Sequence, residues 1–196
     1  MNDCDWIHWQ SLTAEFENLL AHAPNKTNAL CERALLFHTY ALPLLPASRC
    51  QLARNIASRT MERVNKAALP ASTHPAEHAE KIKIGYLSPD FRKHPTALLS
   101  RRLYALHDRE KFVVYGYSLH PGDGSALRRD IEQGCDVFRE LSELENHAAA
   151  EIIRRDGIDI LIDLAGYTSH ARSEIFALRP APLQLCYLGF PHSTGA

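Results

Sequence analysis

From Lys81 to the end of the chain, short runs rich in β-branched and aromatic residues alternate with stretches of helical period, and this rhythm restricts the possible folds more than any other feature. The strand-like runs are KIKIGYLS (81–88), KFVVYGYSL (111–119), DVFREL (136–141), IDILIDLAG (158–166) and PLQLCYLGF (182–190). Between them lie TALLSRRLYALH (96–107), GSALRRDIEQG (124–134) and SELENHAAAEIIRRDG (142–157), which read as helices. The last of these has Ser142 and Glu145 at capping-box spacing and Gly157 as a stop. IDILIDLAG is apolar on both faces, as a central parallel strand must be when helices cover both sides of its sheet. Strands and helices alternating at this length give βαβ crossovers, so the fold class is α/β with a Rossmann-like parallel sheet. A small helical segment precedes it: WQSLTAEFENLLAHA and ASRCQLARNIASRTMERVNKA carry apolar residues at helical spacing, with Pro43 and Pro46 breaking the stretch between them. The expected organisation is a helical segment over 1–65, a linker rich in proline and alanine over 66–81, and a Rossmann-like lobe over 82–196.

Composition narrows the function. At 196 residues, 45% hydrophobic and 23% charged, the chain can bury a core, and a formal net charge of -1 provides no global field for nucleic acid or anionic membrane. No apolar run approaches the roughly 20 residues that span a bilayer, and the acidic, aromatic start MNDCDWIHW is unlike a signal peptide, so a cytoplasmic protein is expected. Five cysteines, odd in number and without a CxxC pair, read as reduced structural thiols. The 11 histidines contain no HxxxH or HExxH, and no metal or other cofactor is expected.

In open parallel sheets, ligands bind beyond the carboxyl ends of the strands, where loops and helix N-termini converge. Four stretches qualify here: 90–96, 123–124, 166–169 and 189–195. None contains a dinucleotide or P-loop glycine signature. In the first, Pro95 fixes the backbone beside His94 and Thr96 is placed to cap the next helix, so His94 is expected at a helix N-terminus on the crevice edge. A neutral imidazole there accepts a hydrogen bond or a proton; the plainer alternative is a surface histidine in a loop. Asp90 reads either as a reactive strand-end carboxylate or as the partner of Arg92 or Lys93, and His38, beside the proline break, as a packing or capping residue. The paired arginines of SRRL (100–103) and ALRRD (126–130) are expected on exposed helix faces, and Arg172 and Arg179 in solvent.

Several long stretches carry a family resemblance. KIKIGYLSPDFRKHPTALL, FVVYGYSLHPGDGSALRRDI, RRDGIDILIDLAGYTSHAR, FALRPAPLQLCYLGFPHSTGA and the N-terminal CDW resemble the start of the catalytic region of protein O-GlcNAc transferases and their Spindly-type relatives, in order and spacing from Cys4 to the last residue. The resemblance implies inverting transfer of N-acetylglucosamine from UDP-GlcNAc to serine or threonine hydroxyls of intracellular proteins. It also implies two Rossmann-like lobes and no essential metal. The family's DFxxHPT loop falls on Asp90, Phe91, His94, Pro95 and Thr96, where it would contact sugar and acceptor and orient the hydroxyl. Its upstream histidine, favoured as general base, falls on His38 of HTYALPL. Lys93 occupies a position that is often asparagine in animal members, which bears on acceptor contacts.

An alcohol attacking an anomeric carbon must lose its proton, so His38, His94 or Asp90 has to lie within about 3 Å of it or one water away. The leaving diphosphate needs cations and helix N–H groups, which the family places in a second, nucleotide-binding lobe. The sequence stops at PHSTGA, before such a lobe, and residues 1–65 hold no 34-residue repeat of the tetratricopeptide type. The expectation is therefore the acceptor-side half of a transferase, truncated at its C-terminus and inactive without the nucleotide lobe, with an exposed edge that favours self-association. The alternative is a non-catalytic remnant that binds peptides or a partner. Spindly-type relatives can transfer fucose, so the sugar stays open at this point.

Overall fold

A computed structural model describes residues 8–22, 36–37, 39, 44–64 and 81–196. His38, the CDW start and residues 66–80 of the expected linker lie outside the described residues. The chain divides into two compact units, Met1–Arg59 with Ser193–Ala196 and Thr60–His192. The helices that open the chain are α1 (Trp9–His22) and α2 (Pro46–Val64). Proline at the first position of α2 surrenders an N–H that has no partner in a first helical turn, and Ala53, Ile56, Ala57 and Thr60 form its buried stripe.

The second unit is built on five strands: β1 (Ile82–Ser88), β2 (Phe112–Ser118), β3 (Val137–Glu140), β4 (Ile160–Asp163) and β5 (Leu183–Cys186). All pairings are parallel and the order is β3-β2-β1-β4-β5. The chain thus grows outward from β1 to β3, then crosses back to β4 and grows the other way. That reversal, between β1 and β4, is where successive crossovers diverge and a crevice opens at the carboxyl ends. Pairing of Ser88 with Ser118 and of Leu87 with Asp163 brings the ends of β1, β2 and β4 level.

Side chains alternate along the strands into two cores, one on each face. Ile84, Tyr86 and Val114 join Phe91, Tyr104 and Ile131 on one face; Leu87, Tyr115 and Tyr117 join Ile153, Leu161 and Ile175 on the other. Each fully buried aliphatic side chain contributes about 1.5–3 kcal/mol. Helices α3 (Pro95–Ser100) and α4 (Ala126–Gly134) serve the first core, and α5 (Asn146–Asp156) and α6 (Ser173–Ala177) the second. Gly157 ends α5 in the left-handed region at φ 69°, as expected. The expected α/β class and the helices before the sheet are what the structure contains.

Away from the candidate site, local expectations fail at three places. The helix expected over 96–107 stops at Ser100, with a 3-10 turn at Tyr104–Leu106. The Ser100 hydroxyl donates to the Thr96 carbonyl (2.9 Å) and accepts from the Tyr104 hydroxyl (2.8 Å), while Leu103 N–H bonds Ser100 O, so the winding tightens and Tyr104 enters the core. The capping box is also absent: Glu145 is the N-cap without a side-chain bond, and Ser142 Oγ donates to Glu140 (3.2 Å). Third, Arg172 is not solvated. Its half-buried guanidinium donates to Asn146 Oδ1 (2.6 Å), Leu141 O (3.1 Å) and Leu144 O (2.5 Å), and holds the turn that leads into α5.

Candidate functional site

The loop that leaves β1 gathers most of the polar side chains singled out from sequence. Asp90 is 4% exposed; its N–H donates to Ser88 Oγ (3.0 Å) and its Oδ1 accepts from Arg92 Nη2 (3.3 Å). Phe91 follows and plugs into the core between the rings of Tyr104 and Phe138, each with its centroid 5.7 Å away. The chain then turns outward, so that Lys93 is exposed and His94 partly so. His94, not Thr96, is the N-cap of α3: its Nδ1 accepts from Thr96 N–H at 3.2 Å, with Pro95 in the first helical turn. The same Nδ1 lies 3.6 Å from Asp90 Oδ2. Asp90 and His94 are therefore neighbours at the crevice, flanked by exposed Pro95 and Lys93 and by nearly buried Thr96.

Across the switch point, β4 ends in a second buried carboxylate. Asp163 Oδ1 accepts from Ala165 N–H (2.8 Å) and Gly166 N–H (3.0 Å). Burial pushes its carboxyl above the usual carboxylate range, and these two amides oppose that only in part. Gly166 has φ 59° and lies so close to the Phe190 side chain that no Cβ would fit there. The Tyr167 and Phe190 rings meet edge to face at 5.6 Å, and Tyr187 N–H bonds Asp163 O at 2.8 Å. Loop 187–190 thus rests on turn 163–167, with Gly166 and Tyr167 of one candidate stretch against Phe190 of another. His38 lies outside the described residues.

Two residues of this region escape sequence reading. Asp163 hides inside an apolar strand. Arg128, expected on an exposed face of α4, is 3% exposed: Nη1 donates to Phe91 O (3.0 Å) and Ser118 Oγ (2.7 Å), Nε to Glu132 (2.6 Å), and the cation lies 4.4 Å from the Phe138 ring centre. Its neighbour Arg129 is exposed. Only the preceding Ser125, which caps α4 through Arg128 N–H (3.1 Å), fixes from sequence where this first turn would lie. Among the described residues, no three His, Cys, Asp or Glu side chains are grouped to hold a metal ion, and no helix is long and apolar enough to cross a membrane.

The sequence matches the family Glycosyl transferase family 41 over residues 4–196. It is 35% identical over 200 residues to the Arabidopsis thaliana "Probable UDP-N-acetylglucosamine--peptide N-acetylglucosaminyltransferase SEC", covering 98% of this chain and 20% of that protein. It is 34% identical over 204 residues to the Caenorhabditis elegans UDP-N-acetylglucosamine--peptide N-acetylglucosaminyltransferase, covering 98% of this chain and 17% of the relative. The chain therefore spans about a fifth of the length of these relatives. A solved O-GlcNAc transferase mutant of Thermobaculum terrenum superposes with a TM-score of 0.78 at 29% identity, over 93% of this chain and 35% of the other. Sequence and fold agree over nearly every residue, and the chain belongs to glycosyl transferase family 41.

Proposed function

We propose that this chain supplies the acceptor-side half of an inverting protein O-GlcNAc transferase. UDP-GlcNAc is the donor, a serine or threonine of a protein or peptide is the acceptor, and no metal or other cofactor takes part. The acceptor oxygen attacks the anomeric carbon, the bond from that carbon to the diphosphate breaks, UDP leaves, and the hydroxyl proton passes to the protein. The observation that carries this reading is the proximity of Asp90 Oδ2 to Nδ1 of the partly exposed His94 imidazole, 3.6 Å apart at the sheet's switch point. His94, Asp90 and His38 are the candidate proton acceptors and orienting groups; Lys93, Pro95 and Thr96 are the candidate acceptor contacts. Nucleotide binding falls to the part of longer family members that this chain does not cover. One face of β5 supports such a partner: Leu183, Leu185 and the following Tyr187 are each about half exposed. The same face offers a route to self-association. The free thiols of Cys50, Cys135 and Cys186 support a cytoplasmic setting.

The test combines the chain with the separately produced remainder of a family member, UDP-GlcNAc and a Ser/Thr peptide, in the presence of EDTA. Sugar transfer is expected, with GlcNAc preferred over nucleotide-activated fucose, and His94→Ala or Asp90→Asn should lower it by on the order of 100-fold or more. No transfer from folded wild-type protein overturns the function. Transfer that survives both substitutions together overturns the residue roles.

A further inference from the structure

The loop that carries Asp90 and His94 is irregular from Pro89 to His94 and makes few backbone bonds of its own. Arg92 N–H bonds Asp90 O at 2.7 Å, and Asp90 N–H bonds Ser88 Oγ. What holds its outer part comes from the next βα connection, 30 or more residues away. Asp123 Oδ2 accepts from Lys93 N–H at 2.6 Å, while its Oδ1 accepts from Ser125 N–H at 3.0 Å, which sets the orientation of the carboxylate. One helical turn further on, Arg128 Nη1 donates to Phe91 O. The two contacts grip a carbonyl on one side of Arg92 and an amide on the other, midway between Asp90 and His94. Neither Asp123 nor Arg128 bonds the Asp90 or His94 side chain.

We infer that Asp123 and Arg128 are positioning residues for sugar transfer: together they clamp the backbone of residues 91–93 and thereby fix the separation and aim of Asp90 and His94. The inference rests on the function proposed above. Displacing a reacting group by 1 Å costs on the order of 100-fold in rate, so a loop without regular structure needs external anchors to support chemistry. Arg128 is buried and its loss would disturb the core. Asp123 is exposed, and its removal opens no cavity, which separates positioning from packing.

The experiment uses Asp123→Ala, which removes both acceptors, and Asp123→Asn, whose single oxygen can accept from Lys93 N–H or from Ser125 N–H but not from both. In the chain alone, Asp123→Ala is expected to speed hydrogen exchange of the Lys93 amide by about tenfold or more and leave the central-strand Leu161 amide unchanged, with Asp123→Asn between alanine and wild type. In the reconstituted transferase, Asp123→Ala should lower kcat by about tenfold with the KM for UDP-GlcNAc unchanged, and Asp123→Asn should lower it less. Wild-type exchange at Lys93 in Asp123→Ala overturns the clamp; faster exchange with wild-type kcat overturns its positioning role. Absence of transfer by the wild-type protein overturns the proposed function instead, and the exchange comparison still decides whether the clamp exists.

Discussion

Two loop systems meet at the switch point, and they are held by different means. On the β1–β2 side, polar side chains grip backbone: Arg128 on Phe91 O, Asp123 on Lys93 N–H, His94 on Thr96 N–H. On the β4–β5 side the Asp163 carboxylate grips its own turn, and the hold between loops is steric and backbone-borne, with Gly166 pressed on Phe190 and Tyr187 N–H on Asp163 O. Each side carries a carboxylate that accepts two backbone amides, yet the two are shifted in opposite directions. The Ser125 hydroxyl, then the Lys93 and Ser125 amides, lower the exposed Asp123 to about 2, whereas burial raises Asp163. The same two-amide cradle stabilises a charge where water reaches it and fails to offset desolvation where water does not. Both sides keep apolar surface open to solvent, Leu98, Leu99 and Leu106 on the first and Leu183, Leu185 and Tyr187 on the second.

The comparison can be broken most sharply at Arg128. Arg128→Ala leaves the Glu132 contact, the Ser118 hydroxyl and the Phe91 carbonyl without their buried donor, and should cost about 3–5 kcal/mol in urea denaturation. A loss below about 1 kcal/mol would mean that polar clamping does not hold the first side. Asp163→Asn is expected to act in the other direction. A carboxyl raised in the fold contributes stability that is present below its ordinary range and lost as pH rises through the raised value. Asparagine keeps the acceptor for the Ala165 and Gly166 amides without a buried charge, so at neutral pH it should gain about 1–2 kcal/mol. That gain should vanish as pH falls below the ordinary carboxylate range. The smallest change in stability, within about 0.5 kcal/mol, is expected for Leu183→Ser combined with Leu185→Ser. Light scattering should nevertheless show self-association of the wild type and its loss in this variant.

Strand positions were legible because burial on both faces leaves its mark on every residue of a run such as IDILIDL. Asp90 and His94 were legible as loop residues beyond β1 through the proline and the family motif, but their contact was not, since sequence matches Asp90 with Arg92 or Lys93. What lay hidden depended on partners distant in sequence. Arg128 looks like any arginine in an amphipathic helix until the Phe91 carbonyl and the Ser118 hydroxyl arrive to satisfy it. Arg172 follows the same logic with Leu141 O and Leu144 O. The early end of α3 turned on a hydroxyl pair, Ser100 with Tyr104, whose alternative to helical bonding has no periodic signature. Thr96 lost the cap to His94 because an imidazole Nδ1 can do what a hydroxyl oxygen does, at a position where propensity favours the hydroxyl.

That substitution of cap has a further result. The Nδ1 lone pair that accepts Thr96 N–H leaves the ring proton of the neutral imidazole on Nε2, so in this tautomer Nε2 is a donor. For Nε2 to act as an acceptor the ring proton has to sit on Nδ1, which ends the bond from Thr96 N–H and places a donor 3.6 Å from Asp90 Oδ2. The proposed base role of His94 therefore couples proton uptake at Nε2 to loss of the Thr96 N–H cap at the start of α3.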